Sequence, residues 1–521
     1  MSQEREIKFR LDPTLHDAVR AHPVLLTMAQ APQVQTLQSW YFDTPEQSLR
    51  KAGLALRVRH LGDGRRILTL KSSPTDGLQL ARGEWEFDID ADAPDATALE
   101  RLNHTHLSTL GDTRTLVSAL RAVLGTRVQR TVWHVIWGGT QLEVCLDSGA
   151  ALGGITPDAP TLPISELEIE LVDGRWAHAF DLAWTLAQDL PLLLSPISKV
   201  QLAARAAGLT TLQLPALARE LAPHASGGQA MAAALQQCAA VIAVGAEMLQ
   251  TDPQPNTVHQ MRLQLRRLRV LLHLLQTTGP ASQHAACRWL RDEWRWASQL
   301  LGVVRDVDVC LEHARSLRET CDADASLSHI LQQKRTANLA TLRAYLSSPR
   351  FGRVLLAHVR WAVCWGSGQV TADDQSTGQL ARRLLRFHRN DLQVHPQRWA
   401  ELLAIWESQA ATPLDAPWTA LHSLRLKAKR LRYALEWLSP WVGNMLGAEG
   451  KIWLKLTSTL QTDLGEALDT LRLARWIGES AAAQSLEAAR LREAGAHRAF
   501  EQVRLGLTHV LQAARQTSKG A

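Results

Sequence analysis

The 521-residue chain has only six cysteines (Cys145, Cys238, Cys287, Cys310, Cys321, Cys364). None forms a CxxC pair, and no Cys/His cluster has zinc spacing, so a disulfide framework or a thiolate metal site is not expected. Reduced thiols fit a cytoplasmic protein. Any metal should be a hard cation held by oxygen. The sequence also lacks an apolar leader, because MSQEREIKFRL is charged from the start. It has no uninterrupted apolar run of about 18 residues, so no membrane span is expected. The nearest approach, Ala230 to Ala246, contains Gln236, Gln237 and Cys238 and reads as a buried helix. Aromatic residues make up 5% of the chain, and none interleaves with the basic stretches. That argues against a nucleic-acid partner, which would use stacking side chains or a reading helix.

The charge is unevenly spread. Residues 1–205 carry a formal −5, whereas the remainder carries +11. An acidic front and a basic back suggest two different jobs, the second attracting a polyanion.

The front, residues 1–205, is strand-like, with turn signals at Gly62-Asp63-Gly64, Asp76-Gly77, Gly138-Gly139 and Asp173-Gly174. Helical interruptions are expected near Asp12–Ala21 and Arg175–Leu190. Residues 206–228, with Pro215, Pro223, Gly227 and Gly228, read as a linker. Residues 229–515 read as helices with an internal repeat, about 229–390 and 391–515. VHQMRLQLRRLR from Val258 matches LHSLRLKAKRLR from Leu421, an offset of 163 residues. Leu301-Gly302 and Asp306 recur at the same offset as Leu464-Gly465 and Asp469. Two blocks sharing one offset indicate two copies of one helical unit.

Successive residues of a strand point to opposite faces. In the first strand Glu4, Glu6, Lys8 and Arg10 therefore share one face, and Ile7, Phe9 and Leu11 the other. The same alternation sets Arg57 with Arg59, Thr69 with Lys71, Glu84 with Glu86 and Asp88, Glu143 with Cys145 and Asp147, and Glu166 with Glu168 and Glu170. One explanation is a sheet with a solvated outer face. Like charges stacked on one face repel, however, and a bound counter-ion removes that cost. Carboxylates suit a hard divalent cation, while Arg and Lys suit phosphate oxygens. A closed sheet with these faces inward would suit a polyphosphate chain with Mg²⁺ or Mn²⁺.

EREIK (Glu4–Lys8) resembles the ExExK signature of the CYTH superfamily, the triphosphate tunnel metalloenzymes. The resemblance continues in order through YFDTP (Tyr41–Pro45), LALRVR (Leu54–Arg59), LTLK (Leu68–Lys71), RGEWE (Arg82–Glu86), LEVCLD (Leu142–Asp147), ELEIEL (Glu166–Leu171) and Ser198-Lys199. The basic helices, with LGVVRDVD at Leu301–Asp308, resemble the CHAD domain, and the pairing is similar to that of bacterial inorganic triphosphatases. The resemblance implies an α+β fold: an eight-stranded antiparallel tunnel followed by an all-α pseudo-symmetric bundle. It implies Glu4, Glu6, Asp147, Glu168 and Glu170 as metal ligands or orienters of metal-bound water. It implies Lys8, Arg57, Arg59, Lys71, Arg130 and Lys199 as phosphate-holding residues, with Glu4, Glu6, Lys8 and Lys71 central to catalysis. Glu84 and Glu86 serve either the metal or a salt-bridge lattice. The chain departs from the SKxxR pattern, since SKVQLAAR has Leu202 at that place and an arginine only at Arg205.

In the helical half His259, Arg262, Arg266 and Arg269 share one face beside a stripe of Val258, Met261, Leu265 and Leu268. His422, Arg425, Lys429 and Arg432 repeat it. These eight residues are the candidate polyphosphate contacts. Solvated charge, or pairing with Asp306 and Asp469, is the competing reading. The resulting expectation is a metal-dependent inorganic triphosphatase that also binds inorganic polyphosphate and associates with polyphosphate granules. A scaffold without turnover, a thiamine triphosphatase and an adenylate cyclase are the alternatives.

Overall fold

A computed structural model describes residues 2–72, 78, 80–102, 107, 110–215, 227–278, 284–318, 325–366, 396–408, 425, 432, 457, 458, 462, 465 and 486–518. The chain divides into two compact units. One comprises residues 1–218 with 234–252 and 344–364; the other comprises 219–233, 253–343 and 365–521. Two helical stretches from beyond residue 228 thus group with the strand-rich front.

The first unit is built on strands β1 (Ser2–Arg10), β2 (Gln33–Asp43), β3 (Leu54–Leu61), β4 (Arg66–Ser72), β5 (Ala81–Ile89), β6 (Arg121–Trp137), β7 (Thr140–Leu152), β8 (Thr161–Asp173) and β9 (Leu193–Leu194). Neighbours run β5-β4-β3-β2-β6-β7-β8-β1-β9, and β1 also pairs with β5. That last pairing closes eight antiparallel strands into a barrel, as the sequence implied. The two-residue β9 is an addition laid beside Phe9 and Arg10. Closure leaves the eight-strand ring without a free edge.

The alternating strands bury both faces. The apolar residues point outward, where helices cover them. Leu54, Leu56, Val58, Leu68 and Leu70 pack against Ala98, Leu99, Leu102 and Leu116 of the helices Ala96–Leu102 and Thr113–Ala119 and against Leu120, which ends the second. The helix Trp176–Asp189 lies against β8, β1 and β6 and buries Phe180, Leu182 and Leu186 completely. With apolar residues committed to this outer layer, the charged alternates point inward. The solvated-face reading of the charged strands is thereby overturned: Glu4, Glu6, Lys8, Arg57, Asp147 and Glu168 are all buried.

One part of the interior is apolar. Leu37, Tyr41, Val128 and Ile164 meet Ala203 and Ala204 of the helix Lys199–Ala206, which packs on β6, β7 and β8. Leu202 packs on this cluster. The helix begins at a capping box: Ser198 Oγ accepts from Gln201 N, and Gln201 Oε1 accepts from Ser198 N. The cap fixes where the helix starts and so aims Lys199, its first residue, at the charged part of the lumen.

Further helices of this unit come from the later sequence. Arg10 pairs with Glu247 at 3.0 Å and Arg360 with Asp181 at 2.6 Å. The stretch Met231–Thr251 is long and apolar enough to cross a membrane by length and composition, but 72% of its most apolar window is buried inside the protein. It is the buried helix expected from the sequence.

In the second unit the helices Pro255–Thr278 and His284–Arg318 pack together. Val258, Met261, Leu265 and Leu268 are buried, as their spacing required. The internal repeat also has a physical counterpart. The Arg262 guanidinium lies 3.6 Å from where a Cβ on Gly302 would stand, and that of Arg425 lies 3.0 Å from the equivalent point on Gly465. Both copies thus lay an arginine over a helix glycine.

Candidate active site in the barrel lumen

Strand register sets which residues meet. Directly opposed residues of paired strands share a face. One row across the barrel runs Arg130, Asp147, Glu166; the next runs Cys145, Glu168, Lys8; a third runs Glu143, Glu170, Glu6. On the other side Arg57 opposes Thr69, Lys71 opposes Glu84, and Glu4 opposes Arg82. The lumen therefore has an acidic wall on β1, β8 and β7 and a cationic wall on β3, β4 and β6. Glu4, Glu6, Lys8, Arg57, Lys71, Arg130, Asp147, Glu168 and Glu170 lie on these inner rows, Arg59 follows Arg57 at the same parity on β3, and Lys199 lies on the helix that caps them.

Two ion-pair clusters form. In the first, Lys71 Nζ donates to both Glu4 oxygens at 2.8 Å and lies 2.9 Å from Glu84. Arg82 bridges Glu4 and Glu6, with Nε 2.6 Å from Glu4 Oε2 and a terminal nitrogen 2.5 Å from Glu6 Oε1. In the second, Arg130 holds Asp147 through two nitrogens at 2.7 and 2.6 Å and reaches Glu168 at 2.6 Å. Lys199 Nζ lies 2.8 Å from Asp147, 2.7 Å from Glu166 and 2.6 Å from Glu168. Lys8 Nζ donates to the Ile197 carbonyl.

These contacts divide the carboxyls by proton affinity. Burial alone would raise Glu4, but Lys71 and Arg82 outweigh it and hold the group well below the usual carboxylate range. Asp147 and Glu168 are likewise pulled down against their burial, by Lys199 and Arg130. Burial followed by the Glu168 carboxylate pushes Glu6 up. Burial followed by Glu4 pushes Glu170 up to about 8. Cys145, buried between these carboxylates, is pushed up to about 12 and stays a thiol.

The cationic wall is less satisfied. Burial, then Arg57 and Arg130, lowers Arg59 to about 10. The buried Nε atoms of Arg57 and Arg59 donate to nothing among the described residues. The nearest carboxylate contact of Arg57 is Glu84 at 3.7 Å. A buried guanidinium without acceptors is costly, and an anion in the lumen would supply them.

The donor set also fits a hard cation. Carboxylate oxygens of Asp147, Glu166 and Glu168 lie within 4.8 Å of one another. Glu4, Glu6 and Glu170 form a second oxygen-rich group, with Glu6 directly opposite Glu170. No nitrogen or thiolate ligand is required.

The sequence reading missed several participants. Arg82 shares its face with Glu84, and that parity was visible within RGEWE. Glu166 was placed on the inner face but not among the ligands. The Ile197 carbonyl had no sequence signal. Glu86, left open between metal and lattice, is exposed. Of the helical candidates, His259 is exposed and Arg262, Arg266, Arg269, Arg425 and Arg432 are half-buried. Although His259 is exposed as a residue, partial loss of water around its ring, followed by the charges of Arg305, Arg262 and Arg266, lowers its pKa. Arg262 also faces Asp306 at 3.6 Å, the pairing expected as the competing role. Arg305, inside LGVVRDVD, is an addition to the stripe. His422, Lys429 and Asp469 lie outside the described residues.

Comparison with known proteins agrees with this geometry. The CYTH domain family model matches residues 2–203, and the CHAD domain family model matches residues 233–478. An inorganic triphosphatase from Haemophilus influenzae is 28% identical over 204 residues, which is 39% of this chain. The match spans about half, 54%, of that relative's length. Among solved structures, a CHAD domain from the plant Ricinus communis is 23% identical with a TM-score of 0.41, covering 59% of this chain and 96% of that one. A putative adenylyl cyclase from Hippeastrum, described as having a dominant triphosphatase activity, is 20% identical with a TM-score of 0.29, covering 40% of this chain and 97% of that one. With a closed, charge-lined barrel matched by one family model and the repeated basic helices by the other, the chain carries a CYTH domain followed by a CHAD domain.

Proposed function

We propose that the barrel hydrolyses inorganic triphosphate to pyrophosphate and phosphate with Mg²⁺ or Mn²⁺, and that the helical domain binds inorganic polyphosphate. The observation that carries the first part is the neighbouring Arg57 and Arg59, whose buried Nε atoms lack acceptors among the described residues, across from a wall of carboxylates. A linear triphosphate offers oxygens to the arginines, and the carboxylates would hold a divalent ion that neutralises phosphate charge. The triphosphatase relative supports the reaction class.

Phosphoanhydride hydrolysis needs positioning and charge neutralisation more than covalent chemistry. Arg57, Arg59 and Arg130 offer planar forks for phosphate oxygens, while Lys8, Lys71 and Lys199 offer point charges. Glu4, Glu6, Asp147, Glu168 and Glu170 would hold the cation or orient water. Bound there, Mg²⁺ or Mn²⁺ supplies neutralisation of phosphate charge and a more acidic water. In the metal-free barrel Glu170 retains a proton near neutral pH. Arg130 and Lys199 already sit on carboxylates, so anion binding would exchange those partners for phosphate oxygens and free the Asp147, Glu166 and Glu168 carboxylates for the divalent cation.

Phosphate release from triphosphate, thiamine triphosphate and ATP, each with Mg²⁺ and with Mn²⁺, tests the reading. Triphosphate should be turned over fastest. Glu4→Gln should lower turnover by about 100-fold or more with an unchanged circular-dichroism spectrum. No release under any condition would leave only binding, and faster release from an organic triphosphate would displace the substrate assignment. For the helical domain, polyphosphate retention that falls steeply with salt and weakens in His259→Ala/Arg266→Ala is expected.

A further inference from the structure

Among the described residues Arg82 is the one cation that touches both Glu4 and Glu6. Lys71 meets Glu4 and Glu84, and Lys199 and Arg130 serve the Asp147 cluster. Arg82 thus neutralises the first-strand pair to which the proposed function assigns a metal ion. A guanidinium there and a divalent ion there are alternatives, because each requires the same carboxylate oxygens.

We propose that Arg82 is a built-in competitor of the metal ion: it neutralises Glu4 and Glu6 in the metal-free barrel and gives up those carboxylate oxygens when a divalent cation takes them. The inference rests on the assignment of that pair to a metal. Its physical content is a setting of affinity. Two buried carboxylates without a cation would be strongly destabilised, and the arginine removes that penalty in the empty state. Metal binding at the pair must then displace an ion pair already made, so the intrinsic affinity for the free ion is lowered. Lys71, still beside Glu4, does not replace it, because its ammonium reaches Glu4 but not Glu6 in these contacts.

Direct Mn²⁺ binding to the full-length, metal-stripped chain without substrate, read from the free-ion electron paramagnetic resonance signal, tests this. Arg82→Gln should tighten Mn²⁺ binding by about tenfold. It should also lower the melting temperature without metal and enlarge the upward shift on adding Mn²⁺. In a Glu4→Gln/Glu6→Gln background the same change at Arg82 should leave Mn²⁺ binding unaltered. Unchanged or weaker Mn²⁺ binding by folded Arg82→Gln would overturn the proposal. If that variant does not fold, Arg82→Lys decides, since the shorter side chain loses the two-nitrogen hold in which Nε meets Glu4 and a terminal nitrogen meets Glu6. Tighter binding by about threefold supports the idea, and equal or weaker binding rejects it. No turnover enters these measurements. Tightened Mn²⁺ binding in a chain that releases no phosphate would reject the triphosphatase reading alone; phosphate release with Mn²⁺ affinity indifferent to Arg82 would reject this inference alone.

Discussion

Glu170 faces Glu4, Glu6, Glu143 and Lys71, and its folded pKa of about 8 lies above the ordinary carboxyl value of 4.5. The folded state therefore binds a proton that the unfolded state has lost between those two values. Its contribution to stability is complete below about pH 4.5 and declines as pH rises through 8, with a limiting slope of about 1.4 kcal/mol per unit. Glu4, Asp147 and Glu168 act in the opposite sense: their folded values are depressed, so their contribution is present at neutral pH and lost as pH falls through those low values. In metal-free buffer Glu170→Gln should flatten the decline of the melting temperature between pH 5 and 8. An unchanged slope would show that burial does not hold that proton. The inward set of charges was legible in the sequence because parity along a strand needs only local order. Their partners were not, because Arg82 meets Glu4 only through β1–β5 register, and Lys199 meets Glu166 only through a helix closing the far side. Parity could still have added Arg82 and Glu166, whereas the Ile197 carbonyl belongs to a segment without regular structure.

At the scale of single elements, the helix Lys199–Ala206 carries its functional residue in its first turn, so its cap controls its site. Ser198→Ala should cost about 1 kcal/mol and raise KM for triphosphate more than it lowers kcat; equal loss of both would place the effect elsewhere. A second element makes a tighter contact. In the helix Pro349–Gly366 a Cβ on Gly352 would stand 2.1 Å from the Leu192 carbonyl oxygen, just before β9. Gly352→Ala should therefore destabilise the barrel unit by about 1–3 kcal/mol through overpacking, read by denaturant melts. The interruptions expected at Asp12–Ala21 and Arg175–Leu190 are present as helices at His16–Arg20 and Trp176–Asp189. The helices Ala96–Leu102 and Thr113–Ala119 were not foreseen, since seven residues make two turns and show too little periodicity to separate from loop.

For the whole molecule, the change from strands to repeated helices is readable from period and repeat, whereas closure of the strands into an eight-stranded tunnel followed only from the family resemblance. The grouping of residues 234–252 and 344–364 with the barrel is not readable, because it depends on long-range packing that no local pattern encodes. Ending the chain at residue 225 would therefore remove more than a second module. It would strip Glu247 from Arg10 and Arg360 from Asp181 and uncover apolar surface. Such a fragment should melt several degrees below the barrel in the intact chain and self-associate on gel filtration; an equally stable monomer would contradict this packing. Closure through β1 also has a kinetic side. β1 is made before both of the strands that seat it: it takes one neighbour from β5 and the other from β8, with Lys8 opposite Glu168. The roughly 160 residues from Lys8 to Glu168 take about 10–30 s at common elongation rates. Throughout that interval the stave that carries Glu4 and Glu6 has no completed seat, and the nascent tube stays open along one seam.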